Sequence, residues 1–301
     1  MMETNYHNPV LLKESIDGLE IKKNGVYVDV TFGGGGHSRA ILDRLGTEGK
    51  LMAFDQDEEA LANALEDERF TLINENFRYL RQFLKFYGIQ KVDGILADFG
   101  VSSHQFDDPE RGFSTRFDKA LDMRMSTRIH TSARDVLNTY SEADLREVFR
   151  RYGELNRAGA MAKAVVGSRE SDSITTTEDL KKVLHKFMPR FKENKIMAQI
   201  FQAIRIEVNQ ELEAIKEFLL QTPQVVSQGG RLSLISYHSL EDRLVKRFIR
   251  MGKFEGEVEK DFYGNPLAPF KPVGKMIQPS TDEIAKNNRA RSARLRIAER
   301  L

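Results

Sequence analysis

Three short apolar runs in the first hundred residues each lead into an aspartate, and this recurrence constrains the fold more than any other feature. Residues 26–30 (VYVDV) carry Asp29, residues 51–54 (LMAF) stop before Asp55, and residues 95–97, entered through Val92, stop before Asp98. A weaker run spans residues 70–73, and residues 38–45, 57–65 and 78–87 between the runs have helical composition. Strand, helix, strand in this rhythm predicts an α/β fold with a parallel sheet and right-handed crossovers. Acids just beyond the strands fall where an open α/β sheet places its ligand crevice.

The first aspartate opens DVTFGGGGHS, a glycine cluster at residues 33–36 between a strand and a helix. Glycines there let a ligand approach the backbone, and a helix N-terminus offers amides without intrahelical partners. A dinucleotide fingerprint begun at Gly33 needs glycine where Ser38 stands, and no Lys-Ser or Lys-Thr pair supplies a P-loop. The spacing suits the acid-x-x-x-Gly-x-Gly loop of class I (Rossmann-like) methyltransferases. Their cofactor, S-adenosylmethionine, presents a carboxylate, an ammonium, two ribose hydroxyls and an adenine. Asp55, roughly 20 residues beyond the loop, is then placed to accept from both ribose hydroxyls, with a turn or cap beside Asp57 as its other reading.

Asp98-Phe99-Gly100-Val101 stands where amine-directed nucleic-acid methyltransferases carry an acid or Asn, two prolines and an aromatic. The exocyclic amine of cytosine or adenine is a poor nucleophile because its lone pair is delocalised into the ring. A carboxylate and a backbone carbonyl accepting its two N–H groups favour a pyramidal nitrogen facing the methyl, so orientation can supply much of the catalysis. A cap or a cofactor contact is the other reading of Asp98.

From about residue 105 to 195 the texture turns helical. Ser141 and Asp144 form a capping box ahead of Leu145, Val148, Phe149 and Tyr152. Residues 156–167 and 176–188, the latter stopped by Pro189, are further helices. We therefore expect a methyltransferase core in two parts, residues 1–106 and 204–301, around a helical insert at 107–203. One long amphipathic helix is expected to carry Ile200, Phe201, Ile204, Val208, Leu212, Ile215 and Leu219 on one face. Arg205 and Asn209 on it either face the crevice or form a structural pair. After Gly229-Gly230, residues 231–236 (RLSLIS) read as a returning strand and residues 239–250 as a helix capped by Ser239 with Asp242. His238 just before it either meets the substrate or braces the loop. Met123 and Met125 read as core filler.

Composition narrows the chemistry. The absence of cysteine excludes disulfides, thiolate metal sites and the thiol adduct used for carbon-5 methylation of cytosine. Six scattered histidines without an HExxH pair give no reason to expect a metal. No apolar run approaches the roughly 20 residues of a membrane span, and the opening MMETNYHNPVLLKESIDG lacks the features of an export signal, so a cytoplasmic enzyme without membrane attachment is expected. The 46 Lys+Arg against 45 Asp+Glu leave a net charge of +1, which argues only against indiscriminate nucleic-acid binding. Cations cluster locally: Lys286, Arg289, Arg291, Arg294, Arg296 and Arg300 near the end, and Arg146, Arg150, Arg151 and Arg157 in the insert. Strand alternation puts Arg294 and Arg296 opposite Leu295 and Ile297. Phosphate contacts and intramolecular ion pairs are both open readings of these clusters.

Five blocks in order, DVTFGGGGHSRAIL, ILADFGVSSHQFDDPERGFS with LDMRM, FQAIRIEVNQEL, LSLISYHSLEDRLVKRF and NNRARSARLRIAER, resemble the MraW (RsmH) family of ribosomal RNA methyltransferases. The resemblance implies an S-adenosylmethionine-dependent core with a substrate-recognising helical insert. It implies transfer to the N4 amine of a cytidine in 16S rRNA of the assembled small subunit; direct in-line transfer without a covalent enzyme intermediate is expected from the lack of cysteine. Gly33, Gly35, Gly36 and His37 then lie in the cofactor loop, with Asp55, Phe77, Asp98 and Gln105 as further cofactor contacts. Asp98, Phe99 and His238 become the catalytic candidates, Phe99 as a stacking surface. The family usually has Leu at Phe99 and Pro at His104, which leaves the course of the loop to Gln105 open. A DNA amine methyltransferase, or a cofactor-binding assembly factor without turnover, is the alternative; a nicotinamide enzyme is disfavoured by Ser38.

Overall fold

The computed structural model describes residues 9–264 and 267–301; residues 1–8, which begin the stretch read for an export signal, lie outside it. The described residues form a seven-stranded sheet from β1 (Val26–Asp29), β2 (Lys50–Phe54), β3 (Phe70–Ile73), β4 (Val92–Asp98), β5 (Val226–Ser236), β6 (Phe270–Pro272) and β7 (Arg294–Arg300). Their spatial order is β3-β2-β1-β4-β5-β7-β6. β1 to β5 run parallel, and β7 lies antiparallel between β5 and β6. The direction of winding reverses between β1 and β4, the switch point at which such sheets open a crevice.

Helices α1 (Leu12–Gly18), α2 (Gly36–Leu42) and α3 (Leu80–Phe86) precede β4. The helix expected over 57–65 is a 3-10 turn, Glu58–Asn63, because Asp57 accepts from the Glu59 amide and caps it early. Parallel strands are covered on both faces and so lack the polar alternation of an exposed sheet. Tyr27, Leu51 and Leu96 pack with Ile16, Leu19 and Ile41 on one face. Val28, Ile95, Leu232 and Leu234 pack with Phe218, Leu219 and Phe248 on the other.

The chain divides into two compact units, residues 1–100 with 212–301, and Val101–Glu211. The second unit thus starts at Val101 rather than at 107 and ends at Glu211 rather than at 203. It contains α4 (Ser103–Asp107), α5 (Ala133–Thr139), α6 (Glu142–Arg151), α7 (Ala158–Arg169), α8 (Thr177–Leu184) and α9 (Glu193–Asn209). Ser141 caps α6 as expected, and Ser132 with Asp135 and Thr176 with Asp179 cap α5 and α8. Met123, Leu137, Phe149, Val165 and Ile200 build a core within this unit, so Met123 and Met125 are filler, both buried.

The single long helix expected here is two. α9 ends at Asn209, Gln210 takes a left-handed φ of 50°, and α10 (Glu211–Val225) begins anew. Asn209 is held by its side chain, which accepts from Met125 N (2.7 Å) and donates to Met123 O (2.7 Å), while Arg205 grips Glu211 at 2.9 and 3.1 Å. These residues therefore bond within their own unit. Apolar periodicity carries across the break because Ile200 and Ile204 enter one core while Ile215 and Leu219 enter another. After β5 follow α11 (Ser239–Met251) and α12 (Thr281–Lys286). No helix among the described residues is long and apolar enough to cross a membrane.

Candidate active site

The carboxyl ends of β1, β2 and β4 bring Asp29, Asp55 and Asp98 to one end of the sheet. Asp29 is fully buried and accepts from Ser38 Oγ (2.7 Å) and Thr31 N (3.1 Å). Ser38 is therefore an anchor for the first acid, a role its place in the glycine block did not suggest. Thr31 Oγ1 accepts from Asp98 N at 2.6 Å, which ties the end of β4 to β1. Asp55 stands at the end of β2 and accepts from Gly33 N (2.7 Å) and Asp57 N (2.9 Å). Asn63 Nδ2 donates to Gly33 O at 3.1 Å, so this glycine is held from both sides.

Gly33 and Gly35 adopt φ of 51° and 76°, the left-handed region that favours glycine. At Gly36 the demand is internal, since a Cβ there would meet Pro9 Cγ at 2.2 Å. His37 is buried with Nε2 3.2 Å from the Val10 carbonyl. A carbonyl only accepts, so Nε2 carries the proton and Nδ1 turns its lone pair toward Asp98 Oδ2 at 3.9 Å. Burial lowers the imidazole pKa to about 4, so this is a contact of a neutral ring and not an ion pair.

Asp98 Oδ1 accepts from the Tyr237 hydroxyl at 2.7 Å, a contact that sequence reading missed because 139 positions separate the two. Tyr237 follows β5, and its amide and that of His238 donate to Glu241 Oε2 at 2.8 and 3.2 Å. His238, not Ser239, is the N-cap of α11: its Nδ1 accepts from Glu241 N at 3.4 Å, and Glu241 returns the capping-box bond. Imidazole replaces the expected hydroxyl, and Asp242 is released to bind Arg296 (2.7 and 3.2 Å) and Arg294 (3.1 Å). Two of the C-terminal arginines are thus partners of an internal acid.

Burial raises the Asp98 pKa to about 7, with Asp29 and Glu241 adding to the rise and the Tyr237 hydrogen bond opposing it. Burial likewise lifts Asp29 and Asp55 to about 6. Asp29 adds to the rise at both Asp55 and Asp98, and desolvated acids so placed make a site that a cation would relieve. Beside them Phe77, Phe99 and Phe218 form an aromatic cluster with ring centroids 5.6 to 6.2 Å apart. Phe99 is only 2% exposed, so its ring backs Asp98 from the core and presents no open stacking face. Gln105 lies in the second unit, where its Oε1 accepts from Ser102 N at 3.0 Å and completes the cap of α4; His104 on that helix is exposed.

A sheet of this order with a glycine loop after β1 and an acid at the end of β2 is the core of a Rossmann-like methyltransferase. The model of the MraW methylase family matches residues 4–301, and the chain belongs to that family. Ribosomal RNA small subunit methyltransferase H of Flavobacterium johnsoniae is 64% identical over 296 residues, covering 98% of each chain. The protein of the same name from Christiangramia forsetii is 63% identical over 301 residues and 100% of each chain, and that from Cytophaga hutchinsonii 58% identical over 297 residues, 98% of this chain and 99% of the relative. The chain is accordingly an S-adenosylmethionine-dependent methyltransferase. The donor set fits that cofactor: three carboxylates with raised pKa suit a ligand carrying a sulfonium and an ammonium, and a neutral His37 adds no opposing charge.

Proposed function

We propose that this enzyme methylates the N4 amine of a cytidine in 16S rRNA within the small ribosomal subunit, in the cytoplasm. The relatives' shared name supports the rRNA substrate. The observation that carries the chemistry is Asp98, fixed at the end of β4 with one carboxylate oxygen occupied by Tyr237. Its Oδ2 accepts one N–H of the target amine, and a main-chain carbonyl beyond it accepts the other. Asp55 holds the ribose hydroxyls of the cofactor with lone pairs left over from its two amide bonds. The loop at Gly33, Gly35, Gly36 and His37 holds the methionine end, and Phe77 borders the adenine. The bound cofactor supplies a methyl activated by its sulfonium. Phe99 and His238 act as positioning residues, Phe99 by backing Asp98 and His238 by capping the helix whose Glu241 holds Tyr237. Transfer is in-line and direct, since the chain has no cysteine to form a thiol adduct.

Labelled-methyl transfer into small subunits from cells lacking this activity tests the reading. The unaltered enzyme should label one cytidine at N4, Asp98→Ala should abolish labelling, and Asp98→Asn separates the need for charge from the need for an acceptor. Near-normal single-turnover rate in Asp98→Ala would refute the assigned role. Labelling of naked duplex DNA would instead favour a DNA enzyme, which must extrude its base. Cofactor binding without any transfer would favour an assembly factor.

A further inference from the structure

The strongest unassigned surface lies in the second unit between α8 and α9. Residues 181–195, KKVLHKFMPRFKENK, hold six Lys or Arg against Glu193 alone. Two 3-10 turns, His185–Phe187 and Arg190–Lys192, flank Pro189 and fold this charge outward. Leu184, Phe187 and Met188 are buried and anchor the segment in the core of its unit. Lys182, Lys186, Arg190, Lys192 and Lys195 are exposed, and Phe191 between them is 101% exposed. Two exposed cations, Arg157 and Lys186, stand 5.1 and 5.3 Å from the ring centroid of the buried Phe187. Lys186 also borders an open groove of about 550 Å³ with Lys163, Ala160, Ala164 and Val183.

An ordinary solvated face interleaves its charges, as α6 does where Glu147 takes Arg150 at 2.8 Å. Here none of the five exposed cations has a carboxylate partner among the described residues. A single exposed ring is ordinary on a protein surface, as Phe262 at 97% and Phe86 at 79% show; what sets Phe191 apart is that cations without carboxylate partners stand on both sides of it in the chain. Ammonium and guanidinium groups around an open ring match one ligand chemistry, phosphates carrying an unstacked base. A-form duplex hides its base faces and leaves the ring without a partner.

We propose that Lys186, Arg190, Phe191 and Lys192 form a landing surface for a single-stranded segment of RNA, the base stacking on Phe191. This rests on the RNA-substrate reading above and adds where on the chain that substrate is gripped. The test compares the unaltered enzyme with Phe191→Ala and with the triple variant Lys186→Gln, Arg190→Gln, Lys192→Gln. Binding is measured to small subunits, to a single-stranded RNA oligomer and to an RNA duplex over a range of salt. Phe191→Ala should weaken oligomer binding by roughly 5- to 100-fold. The triple variant should flatten the slope of log K against log salt by about 2, from roughly 0.7 per lost phosphate contact. At saturating subunits kcat should stay unchanged while KM rises. An unchanged slope and affinity overturns the proposal. Loss on subunits with unchanged binding of the free oligomer also overturns it, in favour of a ribosomal-protein partner. If the methylation reading fails, the unaltered enzyme transfers nothing, while the oligomer arm still reports on this surface.

Discussion

At the scale of single residues, the protonation of Asp98 governs what the site can do. Ionised, the carboxylate offers the amine N–H a charged acceptor at Oδ2; protonated, it can carry a hydroxyl there that donates instead, and burial holds its pKa near 7. For the free enzyme kcat/KM should therefore rise with pH through about 7 and level off above it. Tyr237→Phe removes the bond that lowers this pKa, so the profile should move to higher pH. A purely structural tyrosine would lower Tm and leave the profile in place, and pH–rate curves separate the two. These three desolvated acids also tie cofactor affinity to pH. Binding of S-adenosylmethionine should tighten between about pH 5 and 7.5 as Asp29, Asp55 and Asp98 ionise, and S-adenosylhomocysteine, without the sulfonium, should gain less. Calorimetry with both ligands checks this; parallel pH dependences would sink it. Raised folded pKa values also mean that these acids favour the fold most below their ordinary value near 3.8 and less as pH rises through 6 to 7. The acids were legible in the sequence because each closes an apolar run. Tyr237 was not, since nothing local to SYHS points to a partner 139 positions away.

At the scale of elements, the link between α11 and β7 is the one to break. Burial pushes the Asp242 pKa up, but the hydrogen bond and charge of Arg296, with Arg294, more than reverse this. Asp242→Ala should cost about 2 kcal/mol, measured by denaturant unfolding, because it leaves Arg296 half-buried without its acid. The lowered pKa gives a second signature: the pair's contribution is present above about pH 3.8 and lost as pH falls below it. The variant's deficit should therefore shrink in acid. Arg294 and Arg296 were placed on one strand face by alternation, and they share one, but their partner was invisible without the fold. Two elements differ from expectation. β6 has three residues, one of them Pro272, too few to show a period. β5 begins at Val226 and runs through Gly229 and Gly230, ahead of the strand expected from residue 231, and Gly94 across the ladder pairs with Arg231 after a shift of register.

At the scale of the whole molecule, two compact units share one near-neutral charge. Phe149, fully buried in the second unit, is a point at which that core can be loosened alone. Phe149→Ala should cost about 3–5 kcal/mol there. Hydrogen exchange should then speed up in α6 and α9 while the amides of β1 and β4 keep their protection; equal loss in both would show a single cooperative unit. The pairing of β4 with β5, with Leu96 beside Ser233, has a consequence for how the chain is made. Strands β1 to β4 leave the ribosome first, and the apolar ILAD edge of β4 must wait, bare, until the whole second unit has been synthesised. The second unit, Val101–Glu211, is contiguous in the chain and is made entirely during that wait. β6 meets the same condition over a much shorter stretch of chain, for β7, its sole sheet neighbour among the described residues, follows it soon after. The sheet of this methyltransferase is thus incomplete until β7, its last strand in chain order, has been made.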